Sequence, residues 1–130
     1  MRVVFDTNIL VCALIFPGKQ AEKALLRVID GPDRLVLSKE IVDELLGVLA
    51  RKFARDAEEL ARTAIFLADL GEMVRHKRRL HVFKDDADNR IIECAIAGHA
   101  AAIVTGDREM LHQRIFDNVA IISLRAYLES

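Results

Sequence analysis

Short runs of β-branched and aromatic residues alternate along the chain with longer segments in which apolar residues recur every three or four positions. The short runs predict strands, and the longer segments predict amphipathic helices. Strands are predicted at residues 2–5, 35–37, 73–74, 101–104 and 119–122. Helices are predicted after Asp6 as far as Pro17-Gly18, and at residues 21–29, 38–53, 57–70, 88–97 and 124–128.

Strand and helix therefore alternate, and no hairpin turn sequence such as Asn-Gly joins two strands. Strands that are separated by helices pair in parallel, because a crossover helix returns the chain to the same end of the sheet. The pattern predicts one α/β domain over residues 1–130, with a five-stranded parallel sheet between two layers of helices.

The composition is that of a globular protein, with 52% hydrophobic and 30% charged residues. The 19 Lys and Arg residues nearly balance the 20 Asp and Glu residues, so no global positive field marks a nucleic-acid binder. Asp6 and Asn8 interrupt the first apolar run, which argues against a signal peptide, and no stretch is long enough to span a bilayer. We expect a soluble, cytoplasmic protein that does not associate with membranes. Cys12 and Cys94 stand in apolar surroundings and are interpreted as reduced core thiols.

Acidic residues follow two of the predicted strands. Asp6 comes directly after the first strand, and Asp107 follows the strand at residues 101–104. In open parallel sheets, ligands bind outside the carboxyl ends of the strands, at the point where the strand order reverses. If these two strands are neighbours, the two carboxylates share one crevice. The alternative is that each aspartate only caps the helix that follows it.

Two further acids stand on predicted helices. Glu44 lies near the predicted buried face of its helix, where an unpaired carboxylate is costly, although a solvated position beside Asp43 is the alternative. Asp88 opens the helix at 88–97, where an acid also suits the helix dipole. Carboxylates brought close together repel each other unless a cation neutralises them, and oxygen ligands without His or Cys select Mg²⁺ or Mn²⁺ over Zn²⁺. The acids together therefore predict a site for a hard divalent cation.

Three segments of the chain resemble the motifs of the PIN-domain family. VVFDTNIL resembles its opening strand and Asp-Thr-Asn, SKEIVDELLGVL resembles its second acidic helix, and DDADNRIIECAIAGHAAAIVTGDREML resembles the segment with its third and fourth acids. Together they cover nearly the whole chain in the family's order and spacing. The resemblance implies a three-layer α/β/α domain with strand order 3-2-1-4-5. It also implies a metal-dependent endoribonuclease, often the toxin of a toxin–antitoxin pair of the VapC type.

The resemblance also assigns roles to individual residues. It implies that four acids are catalytic and bind the metal: Asp6, Glu44, Asp88 and Asp107. It further implies that Asn8 and Thr105 orient these acids. Glu93 lies one helical turn and a residue after Asp88, which would keep it near the same helix face and at the edge of the site. The alternative is that Glu93 is an exposed surface residue.

Neighbouring acids compete for two of these positions. Asp85 or Asp86 could take the place of Asp88, and Asp43 could take the place of Glu44. Asp88 is preferred because it precedes a small helix residue by seven positions, which is the family's usual spacing. Glu44 is preferred because the family usually has glutamate there.

The only dense basic run, RHKRR at residues 75–79, stands next to the only dense acidic run at 84–88. Basic side chains hold phosphates without reading sequence, so the run predicts an RNA-binding surface. Its members are Arg75, Lys77, Arg78 and Arg79. The alternative is a solvated loop or an electrostatic partner of the acidic run. With one Tyr and no Trp, the chain offers few platforms for base stacking.

The function predicted in this way is hydrolysis of RNA phosphodiester bonds with Mg²⁺ or Mn²⁺. The resemblance further implies a small antitoxin protein as partner and a homodimer or higher oligomer. Two alternatives stay open. A non-catalytic PIN-like binding module is disfavoured because all four acidic positions are filled. Another Mg-dependent α/β phosphatase using Asp6 usually has a second aspartate two residues on, where this chain has Asn8.

Overall fold

The computed structural model describes all 130 residues, which form six strands and seven helices. The predicted alternation of strand and helix is confirmed, and every predicted element is present with its ends within about two residues. In chain order the elements are β1 (Arg2–Phe5), α1 (Thr7–Ile15), α2 (Gln20–Ile29), β2 (Arg34–Ser38), α3 (Lys39–Phe53), α4 (Ala57–Leu70), β3 (Glu72–Val74), α5 (Asp86–Ala97), β4 (Ala102–Val104), α6 (Arg108–Gln113), β5 (Ile115–Phe116), β6 (Val119–Ile122) and α7 (Leu124–Glu129).

The strands form one sheet in the order β3-β2-β1-β4-β6-β5. The five predicted strands correspond to β1, β2, β3, β4 and β6, so their order is the expected 3-2-1-4-5 and they all pair in parallel. β1 lies beside β4, with Phe5 opposite Val104. The strand order reverses at this pair. The carboxyl ends of β1 and β4 therefore lie where open α/β sheets bind their ligands.

The expectation of a five-stranded, wholly parallel sheet is wrong at one edge. Ile115–Phe116 forms β5, which pairs antiparallel with β6 through the turn Asp117-Asn118. Both turn residues have positive φ, 47° and 67°, which two-residue hairpins require and which Asp and Asn adopt more readily than other non-glycine residues. A strand of two residues is too short to show alternation, so no pattern in the sequence reveals it.

Side-chain caps fix the start of the two helices that carry Glu44 and Asp88. Ser38 Oγ accepts a hydrogen bond from the Ile41 amide at 3.3 Å at the start of α3. α5 begins two residues before its predicted start, because Asp85 caps it by accepting from the Ala87 amide at 2.9 Å. Asp88 therefore lies inside the first turn of α5 and does not cap it.

The centre of the sheet is buried on both faces. Val3, Val4 and Phe5 of β1 are fully inaccessible, as are Ile103 and Val104 of β4. Such continuous apolar strands are typical of a parallel sheet that helices cover on both sides. These residues belong to one cluster of 30 buried hydrophobic residues, which holds the carboxyl ends of β1 and β4 in place. None of the helices has both the length and the hydrophobicity that a bilayer crossing requires.

The two cysteines differ in environment. Cys94 is buried on α5, as a core thiol should be, whereas Cys12 is exposed on α1. The expectation for Cys12 is wrong because α1 buries the face that carries Ile9, Leu10 and Ala13, which leaves the thiol on the other side.

Candidate active site

Asp6 and Asp107 meet at the carboxyl ends of the central strands. The Asp6 amide donates to the Val104 carbonyl at 2.9 Å, so the pairing of β1 with β4 continues up to the acid itself. Thr105 Oγ1 donates to Asp6 Oδ2 at 2.6 Å and accepts from the Asp107 amide at 3.0 Å. One buried hydroxyl thus links the two acidic positions and fixes the Asp6 side chain.

The two aspartates relate differently to the helices that follow them. Asp107 Oδ1 accepts from the Met110 amide at 3.0 Å and therefore caps α6. Asp6 holds the corresponding position before α1 and is only 7% exposed. The amides of Asn8 and Thr7 face its carboxylate and act to lower its pKa, but no capping hydrogen bond forms. Capping can account for an aspartate at position 107. It does not account for a buried aspartate at position 6.

Helices α3 and α5 bring the other two acids to the same crevice. Asp88 is 7% exposed, and its carboxylate is repelled by the charges of Asp107, Asp85 and Asp6. Glu44 is half-buried on α3 and is repelled by the charge of Asp6. The structure therefore groups the four acids chosen from the sequence around the ends of β1 and β4.

Burial and mutual repulsion disfavour the charged forms of three of these acids. Burial raises the pKa of Asp88 to about 7, and the charges of Asp107, Asp85 and Asp6 add to the rise. Burial also raises the pKa of Asp6, with a further contribution from Asp107. Burial raises the pKa of Glu44 as well, and the charge of Asp6 adds to it. Neighbouring carboxyls that resist ionisation together form a crevice that a cation would stabilise.

The acids that compete in the sequence have other surroundings. Asp43 is exposed and pairs at 2.7 Å with a lysine one turn earlier on α3. Asp85 is exposed and caps α5, although its charge acts on Asp88 and Glu44, while Asp86 is exposed and accepts from a buried asparagine side chain at 3.1 Å. Burial therefore favours Glu44 and Asp88.

A cleft of about 480 Å³ opens beside Asp6 and Asp107, and Asn8 lines it. Asn8 is exposed and its side chain makes no hydrogen bond, so it lies at the cleft without orienting an acid. No three Asp, Glu, His or Cys side chains are positioned to ligate one ion together. The donors are nevertheless carboxylate and hydroxyl oxygens in buried or half-buried positions, and this donor set fits a hard divalent cation. The acids repel one another without forming a completed coordination site.

The PIN domain family model matches residues 2–109 of the chain. The chain belongs to the PIN-domain family. Two solved structures resemble this PIN domain over almost its whole length. VapBC2 from Rickettsia felis, bound to a DNA fragment from its promoter, has a TM-score of 0.65 and 16% identity, and the match covers 95% of this chain and 98% of that chain. VapBC-1 from nontypeable Haemophilus influenzae has a TM-score of 0.66 and 16% identity, with 96% and 99% covered.

At this identity the likeness to the two structures shows a shared fold. No match is found among curated protein sequences. The shared fold agrees with the three-layer α/β/α arrangement and the central order 3-2-1-4-5 that the motifs imply.

A buried hydroxyl of the PIN domain that the sequence did not single out also lies in the crevice. Thr7 is 2% exposed, and its Oγ1 is buried without a hydrogen bond of good geometry. The hydroxyl lies against Glu44, where it opposes the effect of burial on the pKa of that acid. A buried hydroxyl without a partner costs free energy, so its presence beside an acid requires an explanation. The Asp-Thr-Asn motif contains Thr7 but does not show that its side chain faces the site.

Two buried polar residues of α5 hold the loop that precedes the helix. Asn89 is fully buried, accepts from the amides of Val82 and Phe83 at 2.9 and 2.8 Å, and donates to the Phe83 carbonyl at 2.9 Å. Glu93 is 1% exposed and accepts from the Leu80 amide at 2.7 Å. The alternative that Glu93 is an exposed surface residue is wrong, because its carboxylate supplies the acceptor that the loop backbone needs.

The basic run lies in this loop, residues 75–83, which we call the basic loop. Arg78 pairs with Asp117 at 3.0 Å, and Arg79 lies 3.6 Å from Glu93 and 3.9 Å from Glu40. The expected pairing with the acidic run at 84–88 is not observed. The partners belong instead to α3, α5 and the β5–β6 turn, because the loop folds back along α5.

Two cationic side chains of the basic loop are not paired with an acid and remain accessible to a ligand. Arg75 and Lys77 are exposed, and neither forms an ion pair. His76, between them, lies 2.6 Å from Glu40 and ties the loop to the first turn of α3. The loop is therefore a fixed surface with free cations on it.

Proposed function

We propose that this PIN domain is an endoribonuclease that requires Mg²⁺ or Mn²⁺. The observation that carries the proposal is the crevice at the ends of β1 and β4, where burial raises the pKa of Asp6, Glu44 and Asp88. Acids that repel each other in the metal-free protein supply the negative oxygen donors that such a cation requires. Membership of a family whose members are generally nucleases supports the same reaction.

Asp6, Glu44, Asp88 and Asp107 would hold the cation. The bound cation would supply an activated water and would neutralise the negative charge that develops on the phosphodiester. Thr105 holds Asp6 toward the crevice, and a backbone amide of α6 holds Asp107. Asp88, with a pKa of about 7, gives up its proton when a cation binds, so cation affinity should rise with pH in this range.

The basic run is the proposed contact with RNA phosphates. Arg75 and Lys77 are exposed and unpaired, which makes them the most available of the four. Arg78 has an exposed partner, and exposed pairs contribute little stability, so a phosphate can compete for it. Arg79 is the least available, because it helps to neutralise the buried Glu93. Contacts of this kind raise affinity for any RNA sequence.

We also propose that the protein acts in the cytoplasm as the toxin of a toxin–antitoxin pair, forms a homodimer or higher oligomer, and is inhibited by a small antitoxin. The two similar structures are both VapBC proteins. A groove of about 410 Å³ offers a surface to a protein partner. Half of its lining is apolar, and the other half is polar or charged: Leu14, Ile15, Leu49 and Phe66, with Arg55, Glu59, Arg62 and Thr63. Light scattering at micromolar concentration, together with co-purification from the native host, tests this. A monomer without an inhibitory partner would contradict it.

The experiment that tests the reaction uses protein stripped with EDTA and then supplied with Mn²⁺. Cleavage of single-stranded RNA should appear only with the cation, and Mn²⁺ should raise the melting temperature. p-Nitrophenyl phosphate should not be hydrolysed. Its hydrolysis would support a generic phosphatase, and cation binding without RNA cleavage would support a binding module. Cleavage that persists in EDTA would contradict the cation requirement.

A further inference from the structure

A groove runs along the outer side of α5, next to the basic loop. Its first part is a cavity of about 350 Å³ between the loop and the second half of α5, with Lys77 and Arg78 on one wall and Ile96 and His99 on the other. Its second part, of about 520 Å³, shares Ile96 and His99 and continues to the β5–β6 turn. Arg78 lines the first part and Asp117 lines the second, so their 3.0 Å ion pair lies across the groove.

The first part of the groove presents two exposed cations in a protein whose net charge is −1. Lys77 has no acidic partner, and Arg78 has only Asp117. The buried Glu93 also lines the groove, but Arg90 at 3.0 Å and Arg79 at 3.6 Å neutralise it. Asp117 is therefore the only exposed acid that lines either part of the groove. Lys77 and Arg78 both line the first part, so a polyanion would be attracted there, and Asp117 would oppose it at the turn.

We infer that this groove binds the RNA strand that reaches the acidic crevice, and that Asp117 occupies the place of one phosphate on Arg78. A carboxylate presents oxygens to a guanidinium much as a phosphate does, so the two groups compete for the same donors. Arg78 is 61% exposed and Asp117 is 55% exposed, and a pair in this setting is readily exchanged. The apolar wall at Ile96 suits the face of a base. This inference rests on the proposed RNA substrate.

The position of the groove agrees with a strand that continues from the crevice. Ile96 follows Asp88 on α5, and the rise of an α-helix places it about 12 Å farther along the axis. The basic loop needs little ordering when RNA binds, because Glu93 and Asn89 already hold its backbone against α5. A surface that is fixed before binding loses less entropy when it captures a ligand.

The test measures the affinity of fluorescein-labelled single-stranded RNA in EDTA by fluorescence anisotropy, with every protein carrying Asp6→Asn to prevent cleavage. Asp117→Asn should bind about two- to fivefold more tightly, because Arg78 is released. Arg78→Ala should bind more weakly and flatten the log-log salt dependence by about 0.7. In the double variant, Asp117→Asn should have no effect, because it acts through Arg78. Asparagine accepts the positive φ of position 117, so the turn should be preserved.

Matched controls come from another exposed pair, on α7. Arg125 pairs with Glu129 at 3.1 Å and neither residue lines the groove, so Arg125→Ala and Glu129→Gln should leave RNA affinity unchanged. Unchanged or weaker binding by Asp117→Asn would overturn the inference. So would an equal gain in the Arg78→Ala background, which would show only a general charge effect. If unaltered protein cleaves RNA with Mn²⁺ and Asp117→Asn still has no effect, the inference fails and the proposed function stands. If the groove variants behave as expected but no RNA is cleaved, the catalytic proposal fails instead.

Discussion

Two buried aspartates at opposite ends of the sheet show how differently this fold surrounds a carboxylate. Asp33, just before β2, is 6% exposed, and Asp88 is 7% exposed. Asp33 accepts hydrogen bonds from the Met1 amino group at 2.7 Å and from the Tyr127 hydroxyl at 2.6 Å, and Arg27 lies 3.7 Å away. Asp88 accepts no side-chain hydrogen bond, and the nearest charges are other acids. Equal burial thus accompanies opposite surroundings.

The pKa of each group follows its partners. Burial acts to raise the pKa of Asp33, but the hydrogen bonds from the Met1 amino group and Tyr127 outweigh burial, and the pKa ends below its ordinary value. At Asp88, burial and negative neighbours act together and raise the pKa to about 7. A partnered buried carboxylate anchors the fold, whereas an unpartnered one carries a repulsion that a bound cation can relieve. The difference in partners, and not the burial, distinguishes a candidate site from a structural anchor.

The largest expected effect is the loss of RNA cleavage when an acid of the crevice is neutralised. Asp6→Asn or Asp107→Asn should lower the cation-dependent cleavage rate by about a hundredfold or more, since each change removes a charged donor. Circular dichroism should show an intact fold. Asp43→Asn, exposed on α3, is the matched control and should cleave normally. If either crevice variant cleaved RNA at the normal rate, the aspartate changed in that variant would not belong to the catalytic site.

At the other end of the sheet, replacing Asp33 with asparagine should lower the stability of the fold and leave catalysis unchanged. Asp33→Asn leaves the Met1 amino group and Arg27 without their buried counter-charge, so urea denaturation should show a loss of about 2–4 kcal/mol. Cleavage per folded molecule should not change. Asp69→Asn, an exposed position on α4, provides the control. If Asp33→Asn were as stable as the unaltered protein, the contrast between anchor and site would not hold.

The sequence predicted those residues of the two regions whose positions follow from the hydrophobic pattern of strands and helices or from a motif. Strand ends are visible in the pattern, so Asp6 and Asp107 could be placed at one edge of the sheet before the structure was known. The apolar spacing of α3 puts Glu44 near the buried face, but the preference for Glu44 over Asp43 comes from the family resemblance. Thr105 came from its motif, and its hydrogen bond to Asp6 agrees with the expected role.

The remaining features depend on contacts between segments without any periodicity. Asn89 and Glu93 bind amides of an irregular loop, and a residue type alone does not show whether its partner will be backbone, side chain or solvent. Asp33 accepts a hydrogen bond from Tyr127, which lies 94 residues away in the sequence. No local sequence pattern indicates a contact over such a separation. β5 could not be predicted either, because it consists of only two residues before a turn in which Asp117 has positive φ.

The two aspartates should also give the protein opposite responses to pH. Because Asp88 has an ordinary pKa of 3.8 and a folded pKa of about 7, the folded state binds the extra proton between these values. Stability of the metal-free protein should therefore fall as pH rises from about 4 to 7, by at most about 4 kcal/mol. Asp33 acts in the opposite sense below this range, since its lowered pKa adds stability that is lost only as pH falls below the ordinary value.

Urea denaturation of EDTA-treated protein at several pH values checks this response. Asp88→Asn should flatten the decline and should be more stable than the unaltered protein at pH 8. Saturating Mn²⁺ should stabilise the unaltered protein more at pH 8 than at pH 5, because protons and the cation compete for the crevice. Stability that rises steadily from pH 4 to 7 in the metal-free protein would contradict the raised pKa.

The smallest expected effect concerns the Thr7 hydroxyl, which lies beside Glu44. The Tyr127 hydroxyl donates a hydrogen bond to Asp33, whereas the Thr7 hydroxyl forms no such bond of good geometry. If this hydroxyl orients Glu44 once a cation is bound, Thr7→Val should weaken Mn²⁺ binding in isothermal titration calorimetry by about three- to tenfold. Thr7→Ser keeps the hydroxyl and should bind Mn²⁺ nearly as the unaltered protein does. In the metal-free protein Thr7→Val should be as stable or more stable, because valine has a similar shape and removes an unpaired buried oxygen. A structural hydroxyl would give the reverse pattern, with lower stability and unchanged Mn²⁺ affinity. That result would place Thr7 with the anchors of the fold and leave Glu44 to be positioned by α3 alone.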